Sequence, residues 1–451
     1  MTTFFPSSRP TRRRFIADAT RVAGSLTAAG AFLNSCNASG NTTSSGKTKL
    51  TIMYFSNELT PAHIKEFEKL HSDITINYIA FDQNRLNAMF AAGTPPDFVR
   101  GIGFDSPNNS ARGIALNLDP YIEKSTVLKK SDFMPVQDLW RWDGKQAGQG
   151  AYYGLAKDWS PDGTLWCNTA RFAQAGISSP SATDPMTYDQ LLDMGNKLTV
   201  KQGGKVQVYG IDPQWASSPN IIQMIRQQDG IIYRTDLTQA DFTTPEAQKA
   251  LQWYVAYAQA HIGPSPFDPD PNGWDGPTYL ANRLAVSQFG YWFGGEISSG
   301  SKDVTAHAFM APAPLMGPKR ISACFTATGA WIPASAKNKD AAWSFMEYFM
   351  AGTPAHERAK SGWGVPSLKS LLPEMPQSSP YQKQAYQVLQ NEQQYFEVLP
   401  VSPYTTSAAM NPIFDKYLQQ AVRNQLSVGS AAQQITADIN KLLQQGKQAM
   451  S

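Results

Sequence analysis

The feature that most constrains the fold is a change of hydrophobic period, repeated between residues 50 and 99. Leu50-Thr-Ile-Met-Tyr-Phe55 is a strand-length, largely apolar run, the pattern of a buried strand. Thr60-Pro61 then offers a helix cap followed by a first-turn proline, and Ile64, Phe67 and Leu70 recur at helical spacing. Ile74-Thr-Ile-Asn-Tyr-Ile79 alternates as a second strand. Residues 85–92 read as a short helix stopped by Gly93, Pro95 and Pro96, and Asp97-Phe98-Val99 opens a third strand. Strand–helix–strand–helix–strand with short links implies parallel strands and right-handed crossovers, an open α/β sheet. Ligands of such sheets bind beyond the carboxyl ends of the strands. That rule puts Ser56-Asn57-Glu58 and Gly103-Phe104-Asp105 at a binding rim.

The mixture continues downstream. Thr187-Tyr-Asp-Gln190 is a capping box opening a helix through Leu191, Leu192, Met194 and Leu198. Thr244-Pro245 starts another, with Leu251, Tyr254 and Ala258 inward. Residues 340–350, 412–422 and 431–443 are also helical in pattern. No internal repeat is visible. Loops rich in Pro, Gly, Asp and aromatic residues lie at 158–163, 264–279 and 361–366.

The first 36 residues carry an address. Thr11-Arg12-Arg13-Arg14-Phe15-Ile16, a short apolar run from Val22 to Leu33, and Leu33-Asn34-Ser35-Cys36 resemble a twin-arginine export signal ending in a lipoprotein cleavage box. The apolar run is shorter than the about 20 residues of a membrane-spanning helix. Cys36 is then the lipidated first residue of a mature protein held at the outer face of the cytoplasmic membrane. Residues 36–48 form a polar tether, a flexible coil of about 20 Å end to end.

Five of the 39 basic residues and one of the 36 acidic residues fall within residues 1–35, so the remainder carries 34 basic against 35 acidic side chains, a formal net charge of −1. With no basic run left, nucleic acid is excluded as an expected partner, and the membrane is reached only through the lipid. Cys167 and Cys324 are expected as buried free thiols: twin-arginine substrates fold before export in a reducing cytoplasm.

The order of motifs resembles the extracellular solute-binding proteins of ABC importers, in particular the sugar-binding branch that includes maltose-binding protein. Ala91-Ala92-Gly93-Thr94-Pro95-Pro96-Asp97 is similar to that family's helix-end turn and strand start. Tyr153-Gly154-Leu155-Ala156-Lys157-Asp158 resembles its first crossover between lobes, with Ala156 where proline is usual. Leu165-Trp166-Cys167-Asn168-Thr169, Ala175-Gly176 and Thr187-Tyr-Asp-Gln-Leu191 follow in family order, Cys167 replacing a tyrosine. Pro245-Glu246-Ala247, then Ala330-Trp331-Ile332-Pro333 before Lys337-Asn338-Lys339-Asp340-Ala341-Ala342-Trp343, complete the series. The resemblance spans nearly all of residues 48–450. It implies an α/β, two-lobed periplasmic-binding-protein-like fold of type II, with a multi-strand hinge and a ligand clamped between lobes. Lobe one would hold 48–157 and about 310–362, and lobe two 160–306 and about 367–451. Crossings are expected near 157–160, 305–312 and 360–368. It further implies delivery of the solute to the permease subunits of an importer, by a monomer with no cofactor.

A sugar site needs aromatic plates for C–H faces and carboxylates, amides or Arg for hydroxyls. Of the eleven tryptophans, Trp253, Trp343 and Trp166 sit at core positions, while Trp140 and Trp142 fit either role. Trp159 follows the first crossover, Trp292 lies with Tyr291 in Gly290-Tyr-Trp-Phe-Gly-Gly295, and Trp363 lies at the last crossover. These regions supply aromatic residues to the cleft in the resembling family. Trp331 and Trp215 join them as candidates, and Trp274, among prolines and glycines, is weaker. Asn57, Glu58 and Asp105 at strand ends and Asp158 and Asp162 by the hinge are the polar candidates, each equally suited to a capping or solvated-loop role. Glu58 and Asp105 could serve a glycosidase if they faced each other across a cleft. There is, however, no Gly-x-Ser-x-Gly elbow, His-Glu-x-x-His or phosphate loop, and the five histidines are scattered without metal-ligand spacing. No catalytic or metal residue is assigned. The expected function is capture of a carbohydrate. The alternatives are another solute (polyamine, peptide, phosphodiester or metal chelate) or an extracellular carbohydrate-active enzyme.

Overall fold

The strand–helix rhythm of residues 48–102 closes into one of two five-stranded sheets among the described residues. The structure, a computed structural model, describes residues 46–450. The leader 1–35, Cys36 and most of the 36–48 tether therefore lie outside the described residues. Among those described, no helix is long and apolar enough to cross a membrane.

The first sheet contains β1 (Thr48–Tyr54), β2 (Ile74–Ala80), β3 (Phe98–Ile102), β4 (Leu155–Ala156) and, from much later in the chain, Thr328–Trp331, in the order β2-β1-β3-(328–331)-β4. β1 runs parallel to β2 and β3, as the crossover pattern requires, and Thr328–Trp331 inserts antiparallel between β3 and β4. Leu50, Ile52, Met53 and Tyr54 are wholly buried. The helix Lys339–Ala351 covers one face, placing Phe349 edge-on to Tyr54 and Phe345 edge-on to Phe98, both at 4.9 Å between centroids.

After β5 (Asp158–Trp159) the chain builds the second sheet from β6 (Leu165–Asn168), β7 (Val200–Gln202), β8 (Lys205–Asp212), β9 (Leu284–Gln288) and β10 (Ala308–Ala311), in the order β10-β6-β9-β8-β7. The chain returns to the first sheet between Ala311 and Thr328, the start of β11 (Thr328–Trp331). It closes on itself where β12 (Val365–Pro366) pairs antiparallel with β5, Val365 opposite Trp159. Two α/β lobes thus share a strand pair at their junction.

The caps expected at Thr60, Thr187 and Thr244 are present, each side chain accepting a backbone N–H of the first turn. Three details differ from expectation. Leu70 is 64% exposed because the helix Pro61–Leu70 ends there; Phe67 and His63 face inward instead, and His63 completes the Thr60 capping box and bonds Glu357 at 2.7 Å. The helix expected from residue 412 begins at Ser407 with Pro412 inside it. Only one intrahelical bond is lost at such a position, and the neighbouring Asn411 side chain is anchored by the Ser218 N–H at 3.0 Å. Unpredicted helices at 218–226, 353–361 and 380–392 complete the layers. Cys167 and Cys324 are free and buried, as anticipated.

Candidate ligand-binding site

The first crossing between lobes, Lys157-Asp158-Trp159-Ser160, is buried throughout, and its side chains reach into both halves of the molecule. Lys157 pairs with Asp158 and lies 3.9 Å from Glu58. Asp158 accepts the Thr328 hydroxyl of β11 at 2.6 Å. Glu58, just past β1, receives a bidentate clasp from Arg100 of β3 at 3.0 and 3.1 Å, the strong planar form of ion pair. Burial by itself raises the Glu58 pKa, but Lys157 and Arg100 outweigh it and hold the carboxyl below its ordinary range. The Arg100 guanidinium also lies 4.2 Å over the Phe55 ring. Arg358 adds a third cation nearby: its guanidinium donates to the Phe349 carbonyl at 2.7 Å, and burial lowers its pKa. Glu58 and Asp158, separated by a hundred residues, are thus brought into one charged cluster.

Two residues beyond Asp158 the surroundings become aromatic. Ser160 Oγ accepts the Trp292 backbone N–H at 3.0 Å, Thr164 Oγ1 donates to the Phe289 carbonyl at 2.9 Å and Trp166 Nε1 to the Gly290 carbonyl at 2.9 Å. The turn after β9 is therefore pinned to the segment after the first crossing. Gly290 is required for this approach, since a Cβ there would stand 2.2 Å from that of Ser160. Trp292 is half-buried, with ring centroids 4.8 Å from Phe289 and 5.8 Å from Trp363. Trp159 is buried edge-on to Phe396 at 5.6 Å, and its Nε1–H has no hydrogen-bond partner among the described residues. A buried donor left unmet costs about 1–3 kcal/mol, so this indole is suited to a ligand or water oxygen.

Trp215 occupies the same strand-end rim. It follows β8, its neighbour Gln214 donates to the Gln288 carbonyl at the end of β9 at 2.9 Å, and its own Nε1 donates to Asp415 at 2.7 Å. Gln214 and Ala216, on either side, have φ of +57° and +55°. Two non-glycine residues in the left-handed region make this turn strained, a condition that persists where surrounding structure enforces it.

Other candidates lie elsewhere. Trp331 is enclosed in β11, 2% exposed and stacked on Phe90 at 5.8 Å. Tyr291 is buried, which raises its pKa. Asn57 is exposed beyond β1. Asp105 accepts the Ser407 backbone N–H at 2.9 Å and its hydroxyl at 3.0 Å, capping the helix Ser407–Val422, which packs on Pro245–Ala260 and Val428–Gln448. Burial raises the Asp105 pKa to about 6. Asp162 accepts the Phe325 N–H at 2.7 Å and joins 160–163 to the segment leading into β11; burial lifts it to about 7. Arg100, Lys157, Ser160, Thr328, Phe289 and Phe396 were not among the site residues expected from the sequence. Arg100 carried a usable signal, a lone charge inside an apolar strand, whereas Ser160 and Thr328 carried none. Among the described residues no group of three or more His, Cys, Asp or Glu could hold a metal ion.

A family model for bacterial extracellular solute-binding proteins matches residues 56–351. The chain belongs to this family. Comparison with curated proteins found no match. Among solved structures, this solute-binding protein is similar to an ABC substrate-binding protein from Listeria monocytogenes in complex with cycloalternan, at 21% identity and TM-score 0.73, over 88% of this chain and 98% of that one. It is also similar to an ABC transporter solute-binding protein from Thermotoga lettingae bound with α-D-tagatose, at 20% identity and TM-score 0.70, over 88% and 99% of the two chains. A third is the maltose/maltodextrin-binding domain from Bdellovibrio bacteriovorus bound to maltotriose, at 17% identity and TM-score 0.68, over 89% and 100%. At such identities the likeness establishes the fold: the solute-binding protein has the two-lobed architecture expected of it.

Proposed function

We propose that this solute-binding protein captures a carbohydrate between its lobes, without chemical conversion, and delivers it to the permease subunits of an ABC importer. The observation that carries the sugar assignment is the half-buried ring group Phe289–Trp292–Trp363, tied through Ser160 to the Lys157–Asp158–Glu58–Arg100 cluster. Rings can cover the apolar C–H face of a pyranose while the charged groups and the open Trp159 donor take hydroxyls. The carbohydrates bound by the similar structures support the same assignment. Trp292, Trp363, Trp159, Trp215, Glu58 and Asp158 form the proposed site; Trp331, Tyr291, Asn57 and Asp105 support it from packing, exposed or capping positions.

Lobe one is assigned residues 48–157 and about 310–362, and lobe two 160–306 and about 367–451, with the second crossing moved to after Ala311 because β10 pairs with β6 in the second sheet. Closure about β5 and β12 would let an importer distinguish loaded from empty protein. The twin-arginine leader and acylated Cys36 would keep this monomeric collector at the outer face of the cytoplasmic membrane. Replacing Cys36 by Ser should release the protein from membranes in fractionated cells; unchanged membrane retention would remove the anchor. Tryptophan fluorescence titrated with mono- and oligosaccharides tests the ligand class, and the expected result is a saturable change. Silence to every sugar, with a response to a polyamine, peptide, phosphodiester or metal chelate, would overturn the assignment, and sugar breakdown during the titration would favour an enzyme.

A further inference from the structure

Trp274 is the only one of the eleven tryptophans that is exposed, at 39%. A singly exposed apolar ring is ordinary on a protein surface; what sets Trp274 apart is that the surrounding turn is built to hold it in place. Asp270 Oδ1 accepts the Asn272 N–H and the Thr278 hydroxyl, both at 2.7 Å, and Asn272 Nδ2 donates to that hydroxyl at 2.9 Å. Gly273 adopts φ +86°, where a side chain would be strained, and the indole lies so close over Gly276 that a Cβ there would stand 2.4 Å from it. The ring is presented by a braced turn.

Its position follows from the next residue. Asp275 accepts the Ser287 hydroxyl of β9, two residues before Phe289, and interacts with Asp212 at the end of β8. Trp274 therefore stands at the strand-end rim that also carries Trp215 and Trp292. It is linked to Trp292 by ring contacts as well. Trp274 lies edge-on to Phe293 at 6.3 Å, Phe293 stacks with Phe289 at 5.1 Å, and Phe289 meets Trp292 at 4.8 Å. The aromatic array that begins at Trp363 by the hinge thus reaches an exposed indole through the wholly buried Phe293.

We propose that Trp274 is an outer sugar platform, so that the ligand is an oligosaccharide whose distal unit stacks on this ring while its inner units lie at Trp292. The proposal rests on the carbohydrate assignment above and adds chain length to it. Continuity of the rings with the inner site favours a saccharide over a protein partner as the occupant.

Calorimetric titration of the wild type and of Trp274→Ala and Trp274→Phe with malto- and manno-oligosaccharide ladders of one to six units separates the two assignments. Wild-type affinity should rise with length. Trp274→Ala should abolish that rise, weakening the longest bound member at least tenfold and the shortest less than twofold, and Trp274→Phe should restore most of it. Equal affinity of wild type and Trp274→Ala at every length would overturn the platform and leave the ring to protein contacts. A uniform loss at every length would overturn it as well, making Trp274 a support of the inner site. Wild type that binds no member of either ladder but responds to a non-sugar solute would overturn the carbohydrate assignment itself.

Discussion

Ser160 Oγ accepts the backbone N–H of Trp292 at 3.0 Å, so the first interlobe crossing fixes the orientation of the central ring of the proposed site. Trp292→Ala should weaken sugar binding at least tenfold, about 1.4 kcal/mol. Ser160→Ala should weaken it less, by about 1 kcal/mol, the net worth of one hydrogen bond. Calorimetry on both variants checks the order; equal effects would mean that the ring is oriented by its aromatic neighbours alone.

Glu58 and Arg100 should matter for stability before they matter for binding. Their side chains are 9% and 13% exposed, and removing one member of a buried pair costs about 3–5 kcal/mol because the other is left uncompensated. Arg100→Leu should shift the urea midpoint accordingly, and Glu58→Leu with Arg100→Leu together should recover much of the loss. A double variant no more stable than the worse single one would contradict this account.

Trp331 gives the complementary case. Enclosed in β11 against Phe90, it should lose about 3–5 kcal/mol of folding stability on replacement by Ala. Where that variant remains folded, its sugar affinity should stay within twofold of wild type. A large affinity loss at unchanged stability would return Trp331 to the site.

Stability should fall as pH rises from about 4 to 7. Asp105 at about 6 and Asp162 at about 7 have folded-state pKa values raised mainly by burial, against about 3.9 in the unfolded chain. In this window the unfolded state has released protons that the folded state retains. Each group thus contributes a decline of up to about 1.4 kcal/mol per pH unit, ending near its folded pKa. Glu58 has the opposite sign, its lowered pKa removing stability only as pH falls through the acid range. Melting temperatures of wild type and Asp162→Asn across pH 4–8 test this; the variant should show the shallower slope between 4 and 7, and identical slopes would contradict the assignment.

What the sequence could reveal was local. The period changes of residues 50–99, the Thr60, Thr187 and Thr244 caps and the loop positions of Trp159, Trp292 and Trp363 all leave signatures within a few residues. Asp105 bonds Ser407 across 302 positions and Thr328 bonds Asp158 across 170, and nothing near either end announces a partner. Trp331 joined the candidates as a residue at an element end, yet strand pairing with β3 encloses it. The helical pattern was legible only from residue 412, while the helix itself begins at Ser407, whose N–H is held by the distant Asp105. The tryptophans of the proposed site and its carboxylates Glu58 and Asp158 were legible, whereas the cations that hold those carboxylates, Arg100 and Lys157, were not.

The central claim is that a carbohydrate is the ligand. A thermal-shift screen tests it most directly: the described chain with mono- and oligosaccharides, and in parallel with polyamines, peptides, phosphodiesters and metal chelates. Binding to the folded state alone at a hundred times Kd stabilises by about 2.7 kcal/mol, so at least one sugar should raise the melting temperature by several degrees. A rise with a member of another class, and with no sugar, would contradict the account.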